Sequence, residues 1–363
     1  MANLVLYRKY RPKTFKEVVG QEHVVRTLTN AIKENILSHG YLFSGPHGSG
    51  KTTIARLLAK SLNCLNRKQG EFEPCNACSS CLEINQGNAI DLIEIDAASN
   101  RGIDEIRDLK EGIRFQPAKS KYKVFVVDEC HQMTKEAANA LLKTLEEPPS
   151  HALFILATTE VHKMIPTILS RCQRFDFRRL TLEEIKERLK GILKKEGVDY
   201  EKEALDLIAA SSFGALRDAE TLLDEAITFS EAKEIKKETV RVLLGTADRQ
   251  SILKLIELLK EKKAKEAIDF LNEIIFKGID LKEFAKSLIQ YLRDLLLLKI
   301  DSSSESISLT KEEREELINL AKSFSETEIK EAIESFMEAE NKMKYASLIQ
   351  LPLELAIIDL CSK

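Results

Sequence analysis

The chain has 363 residues, too many for one small core, and this length points to roughly two or three domains. Lysine and arginine number 55 against 58 aspartates and glutamates, a net charge of -3, so no global basic field marks a nucleic-acid binder; any DNA contact must come from a local patch or from cations pooled by several subunits. The stretch from Met1 to Lys9 is too poor in apolar residues for a signal peptide and no apolar run reaches membrane-spanning length, so a cytoplasmic protein with no membrane partner is expected.

In chain order, Tyr41-Leu42-Phe43 reads as a buried strand and Thr53 to Ala59 as the start of a helix. Between them, Gly45-Pro46-His47-Gly48-Ser49-Gly50-Lys51-Thr52 fits the phosphate-binding pattern Gly, four residues, Gly-Lys-Thr. Glycines without a Cβ let consecutive backbone N–H groups turn toward one anion, and a helix N-terminus adds its positive dipole end. A nucleoside triphosphate is therefore the first candidate ligand, with Lys51 reaching its β- and γ-phosphates and the Thr52 hydroxyl on Mg²⁺. Four more apolar runs follow, Leu92-Ile93-Glu94-Ile95, Val124-Phe125-Val126-Val127, Leu153-Phe154-Ile155-Leu156 and Arg174-Phe175-Asp176-Phe177, separated by helix-like segments. The first half thus reads as a parallel α/β sheet covered on both faces. From Thr181 the pattern turns helical, opened by a capping box at Thr181 and Glu184, and no further strand is expected. Apolar stripes run through Ile252, Leu255, Ile256 and Leu259, then Phe284, Leu288, Leu292 and Leu296; a serine-rich break begins at Asp301, and a second capping box sits at Ser325 and Glu328. These stripes suit a packed helical domain and leave room for subunit association.

The run Val124 to Val127 ends in Asp128-Glu129, two carboxylates at the C-terminal edge of a strand: Asp128 suits the Mg²⁺ shell and Glu129 a general base for water. A threonine after the next strand, in Thr158-Thr159, could orient that water. Arg171, in Ser170-Arg171-Cys172, and Arg217, in Gly214-Ala215-Leu216-Arg217-Asp218, are either functional cations or ordinary surface and helix-end pairs. Arg107 is either a DNA-phosphate contact or a solvated helix-face charge. Cys64, Cys75, Cys78 and Cys81 form a Cys-x₁₀-Cys-x₂-Cys-x₂-Cys cluster in a chain whose other three cysteines are scattered. Four thiolates without histidine suit a closed tetrahedral Zn²⁺ site, with an iron–sulfur cluster as the alternative.

Together these residues resemble the AAA+ family and, within it, the gamma/tau subunits of the bacterial DNA polymerase III clamp loader. The resemblance is carried by Tyr10-Arg11-Pro12-Lys13-Thr14-Phe15-Lys16-Glu17-Val18-Val19-Gly20-Gln21, the four-cysteine insert, Asp128-Glu129, the run from Leu141 to Pro149, and Ser170-Arg171-Cys172. It is dense to about residue 180 and thin after Gly245. It implies an AAA+ P-loop module with a parallel five-stranded sheet over 1–179, carrying the zinc insert at about 64–81, then a helical lid over 180–243 and a helical collar over 244–363. Arg8, Arg11, Val18 and Val19 would clasp the adenine end, Thr53 would join the phosphate loop, Thr159 and Arg217 would be sensors, and Arg171 would act on a neighbour's ATP. The implied activity is ATP hydrolysis, with Mg²⁺, that opens a sliding clamp and loads it on primed DNA. The implied partners are delta and delta-prime subunits and further copies of the chain, with polymerase III core and helicase added only where a longer tail exists. The intact phosphate loop speaks against the delta-prime type. Asp128-Glu129-Cys130-His131 also resembles a helicase pattern, without the helicase motor pair. Two other readings stay open: a different AAA+ DNA-remodelling ATPase for branch migration or unwinding, and a scaffold that binds nucleotide without hydrolysing it.

Overall fold

The computed structural model describes residues 4–99, 112–113, 115–230, 234–244, 249–276, 278–301 and 311–362. The chain divides into two compact units, Met1–Lys237 and Glu238–Lys363.

In the first unit the elements run α1 (Leu6–Lys9), α2 (Glu22–Glu34), β1 (Gly40–Ser44), α3 (Lys51–Leu62), α4 (Ser79–Gln86), β2 (Leu92–Asp96), β3 (Lys123–Asp128), α5 (Lys135–Glu146), β4 (Ala152–Thr158), α6 (Pro166–Leu169) and β5 (Gln173–Asp176). All five strands are parallel, in the order β2-β3-β4-β1-β5. Each run foreseen in the sequence is one of these strands. β1 and β4 are buried at every position, the mark of a sheet covered on both faces. One face packs Tyr41, Phe43, Phe175 and Phe177 against Ile54 and Leu58 of α3 and Leu28 of α2. The other packs Phe125 and Phe154, stacked at 5.3 Å, with Leu141 and Leu145 of α5. Phe43 touches both Phe175 and Phe177 edge-on or tilted, so its truncation to alanine would cost about 3–5 kcal/mol. The consequence for function is positional: Ser44, Asp128 and Thr158 all end at the carboxyl edge of the sheet, where parallel sheets hold ligands.

After β5 come α7 (Leu182–Glu196), α8 (Lys202–Ser211) and α9 (Leu216–Phe229). The capping box is present: Glu184 N–H donates to Thr181 Oγ1, and Glu184 Oε2 accepts from Thr181 N–H. One expectation is corrected here. Asp199–Tyr200 (β6) pairs in parallel with Glu234–Ile235 (β7), a two-residue ladder too short to leave an alternating pattern in sequence.

The second unit is helical: α10 (Arg249–Lys260), α11 (Ala264–Phe276), α12 (Leu281–Ile300), α13 (Lys311–Lys322), α14 (Glu326–Met343) and α15 (Leu351–Ser362). Its core gathers Ile252, Leu255, Phe284, Leu288, Leu292, Phe336 and Leu353, so the stripes read from sequence do face inward. Asp280 caps α12 by accepting from the N–H groups of Lys282 and Glu283, and the Ser325–Glu328 capping box opens α14. α15 keeps Leu351, Leu355 and Ile358 exposed at 43%, 52% and 41% along one side.

Candidate nucleotide-binding site

The loop between β1 and α3 is shaped by its glycines. Gly45 has φ 153°, and a Cβ there would lie 2.5 Å from the Phe177 carbonyl oxygen, so a side chain would push β1 and the segment after β5 apart. Gly50, at φ 98°, is the N-cap of α3, which leaves the first N–H groups of that helix free of side-chain caps and facing the loop. Lys51 is buried, 6% exposed, and its ammonium donates to the Gly45 and Pro46 carbonyls at 2.8 and 2.9 Å. Burial pushes its pKa down, while the Glu129 and Asp128 carboxylates oppose that shift. The next residue bridges to the neighbouring strand end: Thr52 Oγ1 donates to Asp128 Oδ2 at 2.7 Å.

Glu129 follows β3 in the left-handed region at φ 46°, uncommon for a residue with a Cβ and a strain that clusters at functional sites. Its carboxylate accepts from Thr159 Oγ1 at 2.9 Å. His131 supports it from below. His131 Nδ1 lies 3.0 Å from Thr158 Oγ1 and 3.3 Å from Glu129 Oε2, its Nε2 lies 3.4 Å from Glu160 Oε1, and its side chain is 6% exposed. His47 of the loop reaches to 3.6 Å from the other Glu129 oxygen. Asp128 and Glu129 thus have different surroundings, one against the Thr52 hydroxyl and one against hydroxyl and imidazole groups.

His47 to Thr53, Asp128 and Glu129 border a cleft that also takes in Arg11, Val18, Val19 and Arg217, with Thr159 and His131 standing behind Glu129 rather than on the cleft wall. The structure therefore brings together the phosphate loop, both strand-end carboxylates, Arg11, Val18, Val19 and Arg217, from segments far apart in sequence. The Arg217 guanidinium sits 4.8 Å over the Tyr7 ring. Arg8 stands over the same ring at 5.7 Å but lines an adjoining groove, with Lys13, Arg56 and Lys60, rather than the cleft itself. Arg171 lies away from the cleft: it donates to the Thr167 carbonyl at 2.7 Å and to Glu146 Oε1 at 2.6 Å. Arg107 lies outside the described residues. Sequence reasoning missed one pair on the cleft lining, Arg188 and Glu220, joined at 3.1 Å with Glu220 5% exposed. Arg188 also donates to the Tyr10 carbonyl, and burial pushes the Glu220 carboxyl up against the pull of Arg188.

The four cysteines of the insert do converge. Their sulfurs all lie within 4.8 Å of one another, with Cys75 and Cys81 4.0 Å apart, close to the roughly 3.8 Å edge of a tetrahedral zinc–thiolate centre. Cys64, Cys78 and Cys81 are buried. The backbone N–H of Cys75 donates to Cys64 Sγ at 3.3 Å, and those of Ala77 and Cys78 donate to Cys75 Sγ at 3.4 and 3.3 Å. The Ala77 N–H leads in holding the Cys75 thiol down to about 6. Donors aimed at sulfur fit thiolate ligands, so the donor set suits a closed structural metal centre.

Comparison with known proteins matches three family models in succession along the chain from residue 20 onward. Residues 20–181 match the model for the DNA polymerase III delta subunit, residues 184–232 that for the DNA polymerase III clamp loader subunit ATPase lid domain, and residues 235–363 that for domain III of DNA polymerase III subunits gamma and tau. The tau subunit of Bacillus subtilis DNA polymerase III is 41% identical over 99% of the chain and 64% of its own length. The gamma subunit from Buchnera aphidicola of Acyrthosiphon pisum is 34% identical over 99% of the chain and 98% of its own. The chain spans about half the length of other tau relatives. Among solved structures, a single-residue variant of Thermotoga maritima RuvB aligns with TM-score 0.50 and 21% identity over 69% of this chain and 79% of that one, a likeness of fold alone. Matched along its whole length at these identities, the chain belongs to the gamma/tau subunit family of DNA polymerase III.

Proposed function

We propose that the chain is an ATP-hydrolysing motor subunit of a replicative clamp loader, which uses ATP binding and hydrolysis to open a sliding clamp and close it around primed DNA. The observation that carries this reading is the convergence of Lys51, Thr52, Asp128 and Glu129 on one cleft in a chain of this family. Lys51 exchanges the Gly45 and Pro46 carbonyls for the β- and γ-phosphates, a trade of neutral acceptors for anionic ones. Thr52 and Asp128, paired through a 2.7 Å hydrogen bond, are the residues that would hold Mg²⁺. Magnesium, when bound, neutralises charge on the phosphate oxygens. Glu129 takes the proton of the attacking water, and Thr159 and His131 set where its carboxylate points. Arg11, Val18 and Val19 border the base end of the cleft, with Arg8 beside it. Arg217 answers the phosphates from the lid side. Arg171, just before the amino end of β5 and off its own cleft, reaches the ATP of a neighbouring subunit with its planar guanidinium.

The segments 1–179, 180–243 and 244–363 serve as ATPase module, lid and collar. The exposed leucines of α15 supply apolar surface for association with delta, delta-prime and further copies of the chain. Primed DNA is held through backbone phosphates, so binding depends strongly on salt and weakly on sequence. Cys64, Cys75, Cys78 and Cys81 hold a structural Zn²⁺. No helix among the described residues is long and apolar enough to cross a membrane, and the proposed site of action is the cytoplasm. The test is ATP hydrolysis by the reconstituted complex with and without primed DNA and clamp. Stimulation by both together supports the motor. Nucleotide bound without turnover under either condition would make the chain a scaffold instead.

A further inference from the structure

We propose that Lys60 is the counter-charge of the four-cysteine module, a positioning residue that stabilises the metal-loaded centre without ligating it; this rests on the zinc reading above. Four thiolates around one Zn²⁺ carry a net charge of about -2, and three of the four sulfur-bearing residues are buried. Buried charge is costly unless cations or N–H groups face it. The three backbone N–H groups on Cys64 and Cys75 answer part of that demand.

Lys60 answers the rest. It sits in the last turn of α3, four residues before Cys64, and is 2% exposed. Its ammonium donates to Asn76 Oδ1 at 2.7 Å and to Asn85 Oδ1 at 2.8 Å. Asn76 lies between Cys75 and Cys78 in the left-handed region at φ 57°, and Asn85 stands one turn beyond Cys81 on α4. The two amides therefore clamp a cation between the cysteine turn and the helix that carries the last ligand. Both hydrogen-bond partners are neutral, and among the described residues no carboxylate lies within ion-pair distance of Lys60, the charges of Glu17 and Glu73 acting on it from farther off. A buried ammonium that is hydrogen-bonded yet lacks a paired carboxylate is the complement of a buried dianionic centre. The same helix carries Lys51 and Thr52 at its other end, so the module braces the far end of the helix that begins at the phosphate loop.

The experiment measures transfer of zinc from the full chain to a chromogenic chelator, and thermal melting of the zinc-loaded and metal-free forms, for wild type, Lys60→Met and Lys60→Arg. Loss of the charge should speed zinc release about 10- to 100-fold, the usual scale for outer partners of metal ligands. Lys60→Arg should stay nearer wild type. Metal-free Lys60→Met should lose less melting temperature than its zinc-loaded form, because both forms lose the two amide contacts and only the loaded form also loses the counter-charge. A lysine that is merely structural gives the opposite pattern, equal loss in both forms with unchanged release, and that result overturns the assignment. Should Lys60→Met not fold, Lys60→Gln keeps a donor, loses the charge and carries the same comparison. Zinc held equally tightly by wild type and the neutral variant refutes the role of Lys60 alone, whereas wild type that holds no zinc refutes the zinc reading and this proposal with it.

Discussion

Thr159 Oγ1 donates a 2.9 Å hydrogen bond to Oε2 of Glu129, tying the end of β4 to the carboxylate that follows β3. The proposed base is thus held from the neighbouring strand before any substrate is present. Its left-handed backbone and the adjacent His131 add two further constraints on where it points.

Glu129→Gln keeps the shape and the acceptor for Thr159 while removing the base. ATP should bind as in wild type and turnover should fall about 10²-fold or more. Lys51→Ala should weaken binding itself. Equilibrium nucleotide binding and steady-state hydrolysis separate the two, and near-normal turnover in the Gln variant removes Glu129 from the chemistry.

The cysteine insert predicts about one tightly held Zn²⁺ per chain. Cys78→Ser should lower metal content and the melting temperature while Lys51 and Thr52 still bind nucleotide, since the sulfurs stand at the far end of α3 from the phosphate loop. Metal analysis of protein prepared without chelators decides it: neither zinc nor iron would contradict the cluster's proposed role.

Glu184 gives a pH dependence with a definite sign. The Arg178 guanidinium, at 2.8 and 2.6 Å, leads in holding its carboxyl down to about 2, from an ordinary value of 4.5. A depressed pKa contributes stability above that ordinary value and loses it as pH falls toward the folded one. Because Arg178 and Glu184 are 41% and 24% exposed, the ion pair is screened, and since a Gln amide oxygen can still accept from the Thr181 N–H, the loss in Glu184→Gln should be only about 0.5–1 kcal/mol at neutral pH, from the charge rather than the cap. Urea unfolding across pH should show that gap narrowing between about 4.5 and about 2. A gap unchanged through that window would contradict the assignment.

Much of this was legible in the sequence because the relevant signals are local. The phosphate loop, the strand ending in Asp128-Glu129, the cysteine spacing and both capping boxes are each carried by residues within one short segment. What was not legible depends on tertiary meeting. Arg188 and Glu220 come from two helices, and each alone reads as a surface charge; only the fold shows Glu220 buried against a half-buried Arg188. His131 stood in view beside Asp128-Glu129, yet its contacts to Thr158 and Glu160 require β4 to lie next to β3. Arg8 and Arg11 are three residues apart, and the turn after α1 places only Arg11 on the cleft. The β6–β7 ladder has too few residues for any period to register.

Arg171 separates a motor built from several subunits from a self-contained ATPase. Its contacts to Glu146 and Thr167 leave it off its own cleft, so Arg171→Ala should spare nucleotide binding by the isolated chain and strongly reduce stimulated hydrolysis in the assembled complex. Mixing Arg171→Ala chains with Lys51→Ala chains should restore part of the activity, because interfaces joining an intact site to an intact arginine reappear. A mixture as inactive as either parent, under conditions where mixed complexes assemble, refutes action in trans.

The most direct measurement is the number of sliding clamps closed on primed circular DNA by the reconstituted complex, counted with ATP for wild type and for Glu129→Gln. The account predicts repeated loading by wild type that requires ATP, and from Glu129→Gln a complex that binds clamp and DNA but fails to release them and turn over. Loading by wild type that is equally efficient without ATP, or repeated loading by Glu129→Gln at the wild-type rate, would contradict it.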